Sequence, residues 1–164
     1  MNIVELMMAE HAGLRVHLRY IREKNSDSVY EIEDFVRNCH ARIEDELIFP
    51  KLRQLIEPKD PQLVKVLSRL EADHKLIEMI GEQIKVQTAQ GEPETLRKRI
   101  MLYASTLETH NATEETTIFP FWSENSPAES EEIVSRARKI VEAFGRDRYF
   151  RITGVSEKLF DSVV

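Results

Sequence analysis

Two stretches of eleven residues, 40–50 and 110–120, are written in one frame. The first reads His40-Ala-Arg-Ile-Glu44-Asp45-Glu-Leu-Ile48-Phe49-Pro50 and the second His110-Asn-Ala-Thr-Glu114-Glu115-Thr-Thr-Ile118-Phe119-Pro120, with five of eleven positions identical. Upstream of each stands a matching pair, Ala9-Glu10-His11 and Ala72-Asp73-His74. Each half therefore runs acid-His, connection, then His-x3-Glu-acid-x3-Phe-Pro. The His-to-His gap is 29 residues in the first half and 36 in the second, and the extra seven fit a longer second loop. Four of the chain's five histidines lie in this frame. Such self-similarity predicts two related halves, each contributing the same set of side chains.

The spacing of apolar residues makes each half helical. Met7, His11, Leu14, Leu18 and Ile21 recur at steps of three or four, which is one face of a helix. Asn25-Ser26-Asp27-Ser28 then reads as a turn with helix-capping residues. A second stripe has Ile32, Val36, His40, Ile43 and Leu47, and a third Leu67, Leu70, His74, Ile77, Gly81 and Ile84. The fourth has Leu96, Ile100, Tyr103, Leu107, His110, Glu114 and Ile118. Pro50 and Pro120 lack a backbone donor, so the second and fourth helices should kink or end there. Pro58 to Pro61 and Ala89 to Pro93 are the remaining breaks.

Four such helices with short connections predict an all-α fold, an antiparallel up-down-up-down four-helix bundle over residues 1–124. Residues 125–164 form an additional C-terminal helix and tail, packed on the bundle or extending from it. Ser126 caps that helix, Pro127 suits its first turn, and Ile133, Val134, Ala137, Ile140, Val141 and Phe144 form its stripe. Residues 146–164 carry aromatics without a long period and are expected to be partly ordered.

Positions i and i+4 lie one above the other on a helix, so His40/Glu44 and His110/Glu114 each aim an imidazole and a carboxylate in one direction. That direction is the apolar face, which His11 and His74 share. A lone histidine in such a stripe is usually a hydrogen-bonded core residue. Four of them with two carboxylates in a duplicated frame are a different matter, because buried charge of that density needs compensation. Two divalent ions, each held by two histidines and bridged by both glutamates, use every member. The predicted ligands are His11, His40, Glu44, His74, His110 and Glu114. Mixed imidazole and carboxylate ligation suits iron, with zinc, manganese and cobalt also compatible. Two such ions leave room for an oxo or hydroxo bridge.

Composition narrows the setting. A net charge of −6 argues against a nucleic-acid partner, whose phosphates call for a basic face. No apolar run reaches the roughly 18–20 residues of a membrane span. The first residues, MNIVELMMAEH, lack the features of a signal peptide. A single cysteine, Cys39, excludes an intramolecular disulfide. A cytoplasmic protein is expected.

The residues Glu10-His11, His40-x3-Glu44 with Ile48-Phe49-Pro50, Asp73-His74, and His110-x3-Glu114 with Ile118-Phe119-Pro120 resemble the hemerythrin-like (hemerythrin HHE cation-binding) family over about residues 3–122. The resemblance implies a non-haem di-iron centre that binds or senses oxygen or nitric oxide. It also implies two alternatives, a di-iron redox enzyme acting on peroxide or nitric oxide, and an iron storage or donation protein of the iron–sulfur repair type. The oxygen carriers of the family have a further histidine one turn from another on the third helix. Here Glu78 stands four residues after His74, which departs from reversible carriage. His17 is rotated by about 240° from His11 on an ideal helix and is expected off the site. Cys39 is expected to be a packing residue, and Tyr103 to line the pocket or the core. The C-terminal helix is the surface available to a second copy of the chain or to another protein.

Overall fold

The computed structural model describes residues 2–24, 28–56, 60–125 and 130–161. The described residues form helices and short connections, without a strand: α1 (Ile3–Lys24), α2 (residues 28–56), α3 (Pro61–Gln90), α4 (residues 93–125), α5 (Ser130–Phe144), α6 (Arg146–Thr153) and α7 (Glu157–Asp161). The fold is all-α, and no described helix is long and apolar enough to cross a membrane.

The stripes read from the sequence are the buried faces. Met7, Leu14, Leu18 and Ile21 of α1 share the core with Ile32, Val36, Ile43 and Leu47 of α2. Leu67, Leu70, Ile77 and Ile84 of α3 and Ile100, Tyr103, Leu107 and Ile118 of α4 complete it. Polar pairs mark which helices are neighbours. Arg53 meets Glu71 between α2 and α3, Arg99 bonds Gln83 between α3 and α4, and Arg22 meets Glu108 between α4 and α1.

The ends of α3 follow local rules. The Asp60 carboxylate accepts from the amides of Gln62 (2.9 Å) and Leu63 (3.1 Å), and Pro61 takes the first turn. Gly91 closes the helix at φ 74°, a left-handed position that suits glycine, and Pro93 starts α4 two residues later. The predicted turn at Asn25-Ser26-Asp27, Pro58 and the Ser126-Pro127 cap lie outside the described residues.

The two Phe-Pro sequences do not end their helices. Both run on, α2 to Ile56 and α4 to Asn125. The turns before the prolines are π-helical, at Glu44–Ile48 and Glu114–Ile118. In each, the amide of the Phe donates to the carbonyl five residues back, Phe49 to Glu44 and Phe119 to Glu114. A widened turn already omits the bond a proline cannot make, so the helix survives. A further π-turn, Val36–His40, comes first in the chain and ends on the histidine of the first His-x3-Glu pair.

The C-terminal region packs through Ala137 and Val141 of α5 and Tyr149 and Ile152 of α6, all buried. Helix α6 lies against α1, where Gly13 permits the approach. A Cβ on Gly13 would stand 2.6 Å from the Thr153 Cα and 2.7 Å from the Ile152 carbonyl oxygen.

Candidate metal centre

His40 and Glu44 sit either side of a three-residue α-helical stretch between two π-turns, and Glu114 opens the third. Widened turns are frequent at functional sites because they re-aim side chains without breaking the helix. Here they accompany a cluster of six polar side chains in the core. His11, His40, Glu44 and Glu114 are 0 % exposed, His110 is 1 % exposed and His74 9 %.

The cluster divides into two overlapping groups, His11/His40/Glu44/Glu114 and Glu44/His74/His110/Glu114, each with its candidate ligand atoms within 4.8 Å of one another. Glu44 turns Oε1 toward His40 Nε2 (3.7 Å) and Oε2 toward His74 Nε2 (3.1 Å). Glu114 turns Oε2 toward His11 Nε2 (3.4 Å) and Oε1 toward His110 Nε2 (3.4 Å). Each carboxylate thus faces one histidine of either pair, which is the disposition of a bridge. His74 Nε2 and His110 Nε2 are 3.0 Å apart.

The outward nitrogens are held by a second ring of acids. His11 Nδ1–H donates to Glu115, His40 Nδ1–H to Glu10 and His74 Nδ1–H to Asp45, all at 2.8 Å. A carboxylate can only accept, so the imidazole supplies the proton at Nδ1 and its Nε2 faces the centre. His110 Nδ1 faces Asp73 at 3.9 Å, too far for a hydrogen bond. The duplication in the sequence is visible here: Glu10 and Asp73 face the His-x3-Glu histidine of their own half, and Asp45 and Glu115 the lone histidine of the other.

His11 Nε2, His40 Nε2 and both oxygens of Glu44 and of Glu114 are buried without a hydrogen-bond partner. Leaving such atoms unpaired costs about 1–3 kcal/mol each. Six of them converging on one place fit a cationic guest far better than a self-contained core. The protonation equilibria show the same tension. Burial opposes charge on His74, but Asp45 and Glu44 overcome it and push the ring up to about 10. On His40 burial is likewise outweighed, by the Glu44 charge and the Glu10 bond, and the ring reaches about 9. Burial holds His110 down to about 4 and His11 well below its ordinary value, and it pushes Glu114 up to about 7.

The remaining residues singled out by sequence lie elsewhere. His17 donates from Nε2 to the Ile152 carbonyl (3.1 Å), away from the cluster. Glu78 is an exposed partner of Arg37 (3.0 Å). Cys39 is fully buried, and burial raises its thiol pKa far above the usual range, as befits a packing residue. Tyr103 lines a cavity of about 420 Å3, with Glu33, Arg37, Asp45, His74 and Ile77 also on its wall. The Tyr103 hydroxyl is buried without a partner. The cavity meets the cluster at His74, the most exposed of the six.

The model of the hemerythrin HHE cation-binding domain matches residues 2–122. The chain belongs to this family. Three curated relatives, one from Mycobacterium bovis and two from strains of Mycobacterium tuberculosis, are described as uncharacterised proteins. Each is 26% identical over 101 residues, covering 58% of this chain and 38% of the relative. The chain thus spans less than half the length of these relatives. No solved structure matches it. Residues 2–122 thus form a hemerythrin HHE cation-binding domain with two buried His/Glu groups of the kind that can hold metal ions.

Proposed function

We propose that this chain is a non-haem di-iron protein that takes up a small diatomic ligand, oxygen or nitric oxide. His11 and His40 would hold one ion, His74 and His110 the other, and Glu44 and Glu114 would serve both, inside an antiparallel up-down-up-down four-helix bundle formed by residues 1–124. The observation that carries this reading is the set of six unpartnered buried atoms on His11, His40, Glu44 and Glu114, with each carboxylate turned to both histidine pairs.

Iron, when bound, supplies redox chemistry and coordination positions that the protein leaves open. Two imidazole nitrogens and two carboxylate oxygens give four protein donors per ion, whereas iron takes about five or six. The chain's own residues do the rest. Glu10, Asp45 and Glu115 fix three imidazole planes. Leu14 and Leu70 exclude water from the interior of the bundle. The cavity at His74 is the approach for the ligand, and the Tyr103 hydroxyl on its wall is free to donate to a guest.

One observation favours the redox-enzyme alternative. The cavity wall carries Glu33, Arg37 and Lys75, charged groups that a diatomic carrier does not need and a turnover site for peroxide could use. Azide added to the ferric protein and nitric oxide added to the ferrous protein should each shift the visible spectrum. Unchanged spectra in both states, with iron bound, would mean a coordinatively saturated centre. Sustained peroxide consumption with a reductant would favour the enzyme.

A further inference from the structure

Helix α6 lies outside the stretch matched by the family model, yet it reaches the cluster through one hydroxyl. Tyr149 is 0 % exposed, its ring packed against Phe35, Phe150 and Phe160. Its hydroxyl donates to Glu10 Oε1 at 2.8 Å. The other oxygen of Glu10 accepts from His40 Nδ1–H, also at 2.8 Å. Glu10 is itself 0 % exposed, so each of its oxygens has one protein partner in a dry place. Burial and the adjacent Glu10 raise the Tyr149 pKa well above its ordinary value, which keeps the phenol a donor.

The helix that carries Tyr149 is clamped onto the two helices that carry His11 and His40. Gly13 lets the Thr153 backbone touch α1, His17 donates to the Ile152 carbonyl, and Arg148 pairs with Asp34 of α2 at 2.6 Å. The outer acids of the other pair are held differently. The Asp45 side chain is 49% exposed, and Asp73 stands 3.9 Å from His110.

We propose that Tyr149 is a positioning residue that locks the His11/His40 metal position and makes the two positions unequal. A carboxylate that orients a ligand imidazole is effective only while its own orientation is fixed. The Tyr149 hydroxyl fixes Glu10 by a charge-assisted hydrogen bond, and Glu10 fixes the plane of His40. Among the described residues the His74/His110 position has no buried anchor of this kind, Arg69 approaching Asp73 only at 3.9 Å, and it lies beside the cavity, so its ion leaves first. The C-terminal region thereby governs how firmly one of two ions is held. This inference rests on the two-ion reading above.

The test is metal release to a chelator from the fully loaded chain, followed for the native protein and for Tyr149→Phe, with the Mössbauer spectrum of the diferric form. The native protein should carry two ions and lose them in two phases. Tyr149→Phe keeps the ring and should accelerate the slow phase by about tenfold, within the range for loss of an outer partner of a metal ligand. The fast phase should stay unchanged and one of the two iron signals should shift. Arg151→Ala removes the ion pair from the same helix to Glu31 without touching the Tyr149 ring and should leave both phases near native. Unchanged release from Tyr149→Phe, equal acceleration of both phases, or the same acceleration in Arg151→Ala overturns the positioning role while leaving the two-ion reading intact. A native protein that carries fewer than two ions overturns both.

Discussion

Replacing Glu114 by Gln should have opposite effects on the metal-free and the metal-loaded protein. Glu114 is fully buried, and both its oxygens lack a hydrogen-bond partner. Burial raises its carboxyl from 4.5 to about 7. At about 1.4 kcal/mol per tenfold change in proton affinity, that rise is worth about 3 kcal/mol. The sign follows from linkage: a group whose folded pKa is raised contributes stability below its unfolded value and loses it as pH climbs through the folded one. Metal-free protein at pH 8 therefore bears the cost of an ionised buried carboxylate, which the His40 and His74 cations offset only in part. An amide of the same shape does not ionise. For a chain of this size about 3 kcal/mol corresponds to roughly 6–12 °C in melting temperature. Circular-dichroism melts at pH 8 should show metal-free Glu114→Gln unfolding higher than metal-free native protein by about that amount, with the gap closing as pH falls below 4.5. Loaded with iron the order should reverse, because the variant has lost a bridging anion and with it the stabilisation that bound metal confers. A metal-free variant that melts lower than the native protein at pH 8 would show that the Glu114 carboxylate is satisfied without a cation, and the reasoning would fail.

Metal uptake at pH 8 should release about two protons per chain, one each from His40 and His74, whose rings sit at about 9 and about 10 before metal enters. Affinity should therefore rise with pH up to about 9–10, and an indicator dye in weak buffer that registers no release on ferrous addition under anaerobic conditions would contradict the assignment. Gly13→Leu should push α6 off α1, since the obstructing atoms are backbone of Ile152 and Thr153 and cannot rotate away. The expected cost is about 1–3 kcal/mol or more, together with faster proteolysis within residues 146–161; an unchanged digestion pattern would refute it. His17→Ala should leave metal content and the visible spectrum as in the native protein, because His17 bonds a carbonyl of α6 rather than joining the cluster. A large loss of iron would make His17 a ligand.

What the sequence made readable was what a helix determines locally. The stripe Met7–His11–Leu14–Leu18–Ile21 and its three counterparts became the core because a period of 3.6 puts those residues on one face. The His-x3-Glu spacing likewise foretold that His40 and Glu44, and His110 and Glu114, point together. The fate of Pro50 and Pro120 was not readable, because the π-turns that let the helices continue form through the backbone of the preceding residues. The outer acids were half visible. Glu10 and Asp73 recur before a histidine, but their partners, His40 and His110, lie on neighbouring helices. Only the lateral arrangement of helices decides such pairings. Tyr149 gave no local signal at all: it meets Glu10 across 139 residues, from a segment without a long apolar period.

The most direct test of the central claim is the iron content of the purified full chain after anaerobic reconstitution with ferrous iron, read with X-ray absorption at the iron edge. Two ions per chain, each with nitrogen and oxygen neighbours and a short iron–iron distance, are expected from the two groups that share Glu44 and Glu114. A chain that stays metal-free under these conditions, and keeps its helical fold and the same melting temperature as before iron was added, would contradict it.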